Sequence, residues 1–303
     1  MKMKLFAPPY FKEFKCIAEK CRHSCCVNWE IDVDGEALAR YEALGDFGKD
    51  IISGIDFGAD VPHFRLTPDG RCPNLDANGL CRIISLCGEN YLCDICREHP
   101  RFFNTVQGRC EAGIGAVCEE GARLILESEN YFELCEIGET ERDFCESEFD
   151  ILSERSRVFS ILSDRSRAYN ERLSELYSVY GISPQKLGDA EWREIIENFE
   201  YLSEESRALF LSYLSKAQPP AKTEIYLERA LAYFVYRHAS TAFTYTEFVF
   251  SLGLAFFLER LFASVIAAEK NGTADFCALA LRLISEEIEY CEENTENVKF
   301  ALL

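Results

Sequence analysis

The sequence predicts a mainly α protein in two parts: a cysteine-rich N-terminal region of short β-hairpins and helices, residues 1–127, and an all-helical body, residues 128–303. Two observations carry this. Of the 15 cysteines, 12 lie at or before Cys135, so the first part has its own composition. Beyond Ser128 the apolar residues recur at helical spacing and continue so to the C-terminus.

The elements of the first part follow from turn and cap chemistry. Asp34 is placed to cap a helix from Gly35 to Leu44 that Gly45 ends. An extended stretch, His63 to Leu66, leads into the turn Pro68-Asp69-Gly70 ahead of Cys72, and Asn78-Gly79 makes a second turn ahead of Cys81. Gly88 to His99 reads as a short helix carrying Cys93 and Cys96 on one face, closed by Pro100. Phe102 to Val106 and Cys110 to Ala116 flank Gln107-Gly108 as a hairpin, and Cys118 opens a helix to Leu126.

In the second part Trp192, Ile195, Ile196, Phe199 and Leu202 share one helical face. Leu227, Ala230, Leu231, Phe234, Val235 and His238 share another, and Leu279, Leu283, Ile284 and Ile288 a third. Six to eight helices are expected, with His238 as a hydrogen-bonded core histidine. The segment Ile151-Leu-Ser-Glu-Arg-Ser-Arg157 recurs as Ile161-Leu-Ser-Asp-Arg-Ser-Arg167. Ten residues are too few for a solenoid unit, so the repeat reads as a duplicated stretch of one helix with a salt-bridged surface.

Composition excludes several classes of function. The chain is 48% hydrophobic and 28% charged over 303 residues, enough for one large or two ordinary cores. A net charge of -20 argues against nucleic acid, which needs clustered Lys and Arg. Residues 1–127 hold 15 Lys and Arg against 20 Asp and Glu, a net of -5, which leaves -15 on residues 128–303. That acidic half suits a solvated helical surface or a basic, lysine-bearing partner. The most apolar run, Phe248 to Ala268, has Glu259 and Arg260 near its middle, which favours a buried core helix over a membrane span. The N-terminal residues lack the pattern of a signal peptide, so a cytoplasmic protein without a membrane partner is expected.

The thiols fall in groups: Cys16-x4-Cys21-x3-Cys25-Cys26, Cys72-x8-Cys81, Cys93-x2-Cys96, and Cys118. A disulfide framework is disfavoured without an oxidising compartment. Inert packed thiols explain isolated residues such as Cys145, Cys277 and Cys291, but not the groups. Soft-metal ligation does explain them. Adjacent Cys25 and Cys26 do not easily present both sulfurs to one tetrahedral ion, and only Cys93 with Cys96 has the compact zinc-knuckle spacing. Iron-sulfur is therefore favoured over zinc, and spacing leaves both open. The radical S-adenosylmethionine signature Cys-x3-Cys-x2-Cys fails because residue 28 is Asn28.

Other catalytic signatures are missing. Gly113-Ile114-Gly115 lacks the later glycine of a dinucleotide loop and reads as a hairpin strand. There is no P-loop and no Gly-x-Ser-x-Gly elbow. His23 and His99 lie near cysteines, with polar packing favoured over ligation for each.

The sequence resembles the flagellin lysine-N-methylase family over most of its length. The matching residues are Phe14-Lys-Cys16, Cys21, Cys25-Cys26 with Trp29, Cys72-Pro73-Asn74-Leu75, Gly79-Leu80-Cys81, Cys96-x2-His99-Pro100-Arg101, and Cys118-Glu119-Glu120 before Arg123-Leu-Ile-Leu126. The earlier segments are also similar to a shorter cysteine-rich family described as zinc- or iron-chelating. The resemblance implies Cys16, Cys21, Cys25, Cys26, Cys72, Cys81, Cys96 and Cys118 as the metal-binding thiols, and it sets aside Cys87, Cys93, Cys110, Cys135 and the three later cysteines. It departs from the family at His99-Pro100-Arg101, where Phe-Pro-Arg is usual, and at Cys118-Glu119-Glu120, where Cys-Pro-Glu is usual.

What the resemblance further implies is methyl transfer from S-adenosylmethionine to lysine side chains of flagellin, with a 4Fe-4S cluster. The catalytic base and the S-adenosylmethionine site are not legible. The competing reading is a zinc- or iron-sulfur-binding, redox-sensing protein without turnover that docks a partner through its helical body.

Overall fold

A computed structural model of the chain describes residues 2–142 and 149–303. The chain forms two compact units, Lys15–Arg101 on its own and the residues before it joined to Phe102–Leu303. The sequence reading put one boundary at residue 127; the compact units instead part after Phe14 and after Arg101. Cys145 lies outside the described residues.

In chain order the elements are β1 (Lys2–Ala7), α1 (Tyr10–Glu13), α2 (Gly35–Glu42), α3 (Gly45–Ser53), β2 (Ile55–Asp56), β3 (His63–Phe64), α4 (Arg82–Cys87), α5 (Asp94–Glu98), β4 (Arg101–Val106), β5 (Arg109–Ile114), α6 (Glu119–Glu127) and β6 (Cys135–Glu141). Then follow α7 (Ile151–Leu162), α8 (Tyr169–Tyr180), α9 (Asp189–Glu197), α10 (Glu204–Phe210), α11 (Glu224–Phe234), α12 (Tyr245–Glu269), α13 (Ala274–Ile284) and α14 (Glu292–Ala301). The fold is mainly α, as the sequence predicts.

The larger unit packs its helices with one four-stranded sheet of order β4-β5-β1-β6. Strand β1 runs parallel to β5, with Leu5 opposite Cys110 and Phe6 opposite Glu111, and antiparallel to β6. The expected hairpin about Gln107-Gly108 is present as β4 and β5. Gly113 on β5 is required for packing: a Cβ there would meet atoms of the Phe102 ring at 2.2–2.9 Å. This gives that glycine a structural reason unconnected with nucleotide binding.

Strand β6 corrects the expectation of an all-helical C-terminal part. Its sequence, Cys-Glu-Ile-Gly-Glu-Thr-Glu, carries no apolar alternation because neither face is buried. Backbone pairing with β1 makes it a strand.

Helix α12 runs through the core of this unit and is buried on every side, so its apolar composition reflects the protein interior. It is the one described helix long and apolar enough to cross a membrane, and 89% of its most apolar window is buried in the fold. Glu259 and Arg260 pair there, with Arg260 Nε donating to Glu259 Oε2 at 2.6 Å. Around it Trp192 packs 4.5 Å from Phe257, and Tyr177 meets Phe256 edge-on.

The repeat is not one duplicated helix. Its first copy lies in α7, but the second runs from the end of α7 into the turn before α8. Nor are all its arginines surface residues: Arg155 reaches buried Glu111, and the equivalent Arg165 reaches buried Glu228.

The smaller unit has a separate core of Ile31, Val33, Ala37, Tyr41, Ile51, Ile55, Phe64, Ile83 and Leu92, completed by Cys72 and Cys93. Asp34 caps α2 as expected, accepting from the Ala37 N–H at 2.7 Å. Gly45 does not end a helix but opens α3 with φ +62°. The stretch Gly88 to His99 is broken: a 3-10 turn, Glu89–Tyr91, precedes α5, and Cys93 is the cap of α5 rather than a helical residue.

Candidate metal centre

Three backbone devices in the smaller unit bring distant cysteines to one place. The first joins the Cys25-Cys26 segment to Cys72. The Cys72 N–H donates to the Cys26 carbonyl at 2.8 Å and the Asn28 N–H to the Gly70 carbonyl at 2.7 Å. The Asp69-Gly70 turn that permits this needs glycine: φ is +75° and a Cβ would stand 2.1 Å from Asn28 Oδ1.

The second device sets Cys81. Asp76 Oδ1 accepts from the N–H groups of Asn78 and Leu80 at 2.8 and 2.9 Å, closing the Asn78-Gly79 turn. Cys81 then pairs in an isolated bridge with Leu75 and caps α4.

The third sets Cys93 and Cys96. While one oxygen of Asp34 caps α2, the other accepts from the Asp94 N–H at 2.8 Å, so one carboxylate holds the starts of two helices. Arg40 on α2 also donates to the Leu92 carbonyl at 3.1 Å. Cys93 at the cap and Cys96 one turn on therefore share a side.

Six thiols meet as a result: Cys25, Cys26, Cys72, Cys81, Cys93 and Cys96. Cys26 feels Cys25, Cys72 and Cys81, while Cys96 feels Cys93, Cys26 and Cys72. They form two hydrogen-bonded pairs. Within the first, Cys26 donates to Cys25, which draws the Cys25 thiol down to about 7 while Cys26 is pushed up. Within the second, Cys96 donates to Cys93, which is lowered while Cys96 is raised. Burial raises Cys72 and Cys81. Asn74 Nδ2 lies 3.9 Å from Cys72 Sγ.

Of the eight thiols implied by the family resemblance, five are in this group. Cys16 is exposed. Cys21 follows a 3-10 turn, and its sulfur donates to the His23 carbonyl at 2.8 Å. Cys118 belongs to the other unit, where it caps α6. Cys93, which the resemblance sets aside, stands among the six, and the signal for it was its x2 spacing from Cys96. Cys110 and Cys277 are buried singly in the larger unit.

The donor set fits a soft metal or an iron-sulfur centre in chemistry and number: five thiols in and against one small core, with Cys25 adjoining, include four whose ionisation is opposed by burial or neighbouring thiols, and these gain from a shared cation. It is not a ready cage. Among the described residues no three His, Cys, Asp or Glu side chains stand close enough together to hold an ion as placed.

Over part of its length the chain is similar to curated proteins of one kind. It is 28% identical over 138 residues to the lysine-N-methylase of Salmonella typhimurium, covering 43% of this chain and 34% of that protein. The lysine-N-methylase of Salmonella choleraesuis is 27% identical over 136 residues, with the same coverage. The resemblance read from the sequence stands, but over 43% of the chain and not over most of its length. The flagellar biosynthetic protein FliU of Salmonella muenchen is 27% identical over 128 residues, 39% of this chain and 75% of that protein. The chain thus spans about a third of the length of the lysine-N-methylases it matches. No family model and no solved structure matches.

Proposed function

We propose that the chain takes part in S-adenosylmethionine-dependent methylation of protein lysines, with a 4Fe-4S centre on thiols of the smaller unit. The observation that carries this reading is the gathering of Cys26, Cys72, Cys81, Cys93 and Cys96 in and against one small core, with Cys25 adjoining, in a chain similar to lysine-N-methylases. A 4Fe-4S cluster takes four thiolates and, when bound, supplies a redox couple and a cross-link between chain segments. Cys25 or Cys26, Cys72, Cys81 and the Cys93–Cys96 pair are the residues that would hold it.

The relatives' names support a flagellar protein as substrate. A lysine-bearing partner also suits the net charge of -15 on residues 128–303, which draws basic segments toward the chain. Once bound, a lysine ε-ammonium has no lone pair, so a base must take its proton before its nitrogen attacks a sulfonium methyl group.

The test is anaerobic purification of the full chain, metal analysis, and incubation with methyl-labelled S-adenosylmethionine and flagellin. Label recovered on lysine after hydrolysis, from a brown, iron- and sulfide-containing protein, supports the reading. A colourless, zinc-loaded protein that neither binds S-adenosylmethionine by calorimetry nor labels lysine overturns it, and favours a metal-binding module without turnover.

A further inference from the structure

Two helices of the larger unit end in π-helical turns: α11 continues as Val235–Ala239 and α13 as Ser285–Glu289. Such turns are rare and occur frequently at functional sites. Here the two meet. His238 Nε2 lies 2.7 Å from Glu289 Oε1, Arg237 Nε lies 3.2 Å from the same oxygen, and the Tyr233 hydroxyl is 3.0 Å from Glu289 Oε2. The Ala116 N–H donates to the Tyr233 oxygen at 2.9 Å, leaving that hydroxyl's proton for Glu289. The Arg237 guanidinium stands 4.8 Å from the ring centroids of both Phe102 and Tyr290.

We propose that His238, oriented by Glu289, is the proton acceptor for the substrate amine. The proposal rests on the lysine-methylation reading above and names the base that reading requires. Glu289 has a fully buried side chain and three donors, so it is an acceptor throughout. It therefore takes the Nε2–H of His238, and Nδ1 carries the lone pair. The imidazole side chain is 14% exposed, which keeps it within reach of an outside group. Beside it, the Arg237 guanidinium is held by Glu289 and Tyr290, which fixes a positive charge next to the ring.

The groups acting on the ring are Glu289, Arg237 and Lys299. Burial lowers His238, Arg237 and Lys299 lower it further, and Glu289 opposes them. The net lowering leaves the imidazole neutral, as a base must be. In the step, the proton passes from the lysine ε-ammonium to Nδ1. The freed lone pair attacks the methyl carbon of S-adenosylmethionine, and the breaking C–S bond leaves its electron pair on sulfur as a neutral thioether. The imidazolium, stabilised by Glu289, then releases its proton to water.

His23, His63, His99 and His238 are the chain's four histidines, so 15N-histidine NMR of the full chain can read the ring directly, with H238Q assigning its signals. The expected result at pH 7.5 is a neutral Nε2–H ring whose signals alone shift on adding n-butylamine, a lysine side-chain mimic. In E289Q the tautomer preference weakens. In turnover, H238Q slows methyl transfer about 100-fold or more, with S-adenosylmethionine binding unchanged and partial recovery at high pH, where the amine loses its own proton.

A charged or Nδ1–H ring, or H238Q turning over within about 3-fold of wild type with the same pH profile, overturns the proposal. Should wild type label no lysine, the methylation reading falls, and the butylamine response alone decides: a His238 shift sustains the amine site and no shift removes it. Circular dichroism of H238Q and H238N separates loss of the base from loss of the fold.

Discussion

Arg155 on α7 grips Glu111 on β5 with both ends of its guanidinium, Nη1 to Oε2 at 2.6 Å and Nη2 to Oε1 at 2.7 Å. Both side chains are buried, and Arg109 Nε adds a third contact at 2.9 Å. Removing Arg155 leaves the buried Glu111 charge with only the partly exposed Arg109 as its partner. R155A is expected to lower unfolding stability by about 3–5 kcal/mol, while E111M combined with R155L regains most of that loss. Urea unfolding of wild type and the two variants checks both expectations.

The same pairs set an acid limit. Burial alone would raise the Glu111 and Glu228 carboxyls, yet Arg155 and Arg109 on the first, and Tyr131, Arg172 and Arg165 on the second, hold both below the usual carboxylate range. A depressed carboxyl contributes stability that is present above the unfolded value, about 4.3, and is lost as pH falls through the folded value. Stability is therefore expected to drop below about pH 4.3. E228Q should weaken the pH dependence there while lowering stability at pH 7. A variant whose acid slope matches wild type would contradict this.

Asp34 holds two helix starts in the smaller unit, so its loss should reach the thiols. D34A is expected to cost about 1 kcal/mol per lost cap contact and to loosen Cys93 and Cys96 together. Cysteine reactivity followed by mass spectrometry should rise at those two positions and stay unchanged at Cys277, which is buried in the other unit.

Much of this was legible in the sequence because it rests on local chemistry. The Asp34 cap, the Gly70 and Gly79 turns and the Gln107-Gly108 hairpin are each fixed by a few adjacent residues, and α12 by its own composition. What was not legible depends on distant partners. Strand β6 has no pattern of its own and exists because β1 pairs with it. The second repeat copy differs from the first only in Asp164 for Glu154, yet it runs out of α7 into a turn, where Arg165 meets Glu228 while Arg155 meets Glu111.

The candidate site divides in the same way. Spacing singled out Cys25-Cys26 and the Cys93–Cys96 pair, but joining them to Cys72 and Cys81 needed the Cys72–Cys26 backbone bond and both oxygens of Asp34. His238 looked like a core residue from its apolar stripe. Its partner Glu289 lies 51 residues on, in a π-turn that no sequence pattern marked.

Serine substitution separates the six thiols from the rest. C72S and C81S are expected to lose most bound metal on anaerobic purification, whereas C277S and C135S keep the wild-type content. Equal metal in all four would remove the proposed centre from the smaller unit.

X-ray absorption at the iron and zinc edges of the anaerobically purified full chain tests the central claim most directly. The account predicts a metal surrounded by sulfur at about 2.3 Å, with iron-iron scattering if the centre is a cluster, and loss of that sulfur shell in C72S. A metal-free protein, or a metal held by nitrogen and oxygen alone, would contradict it.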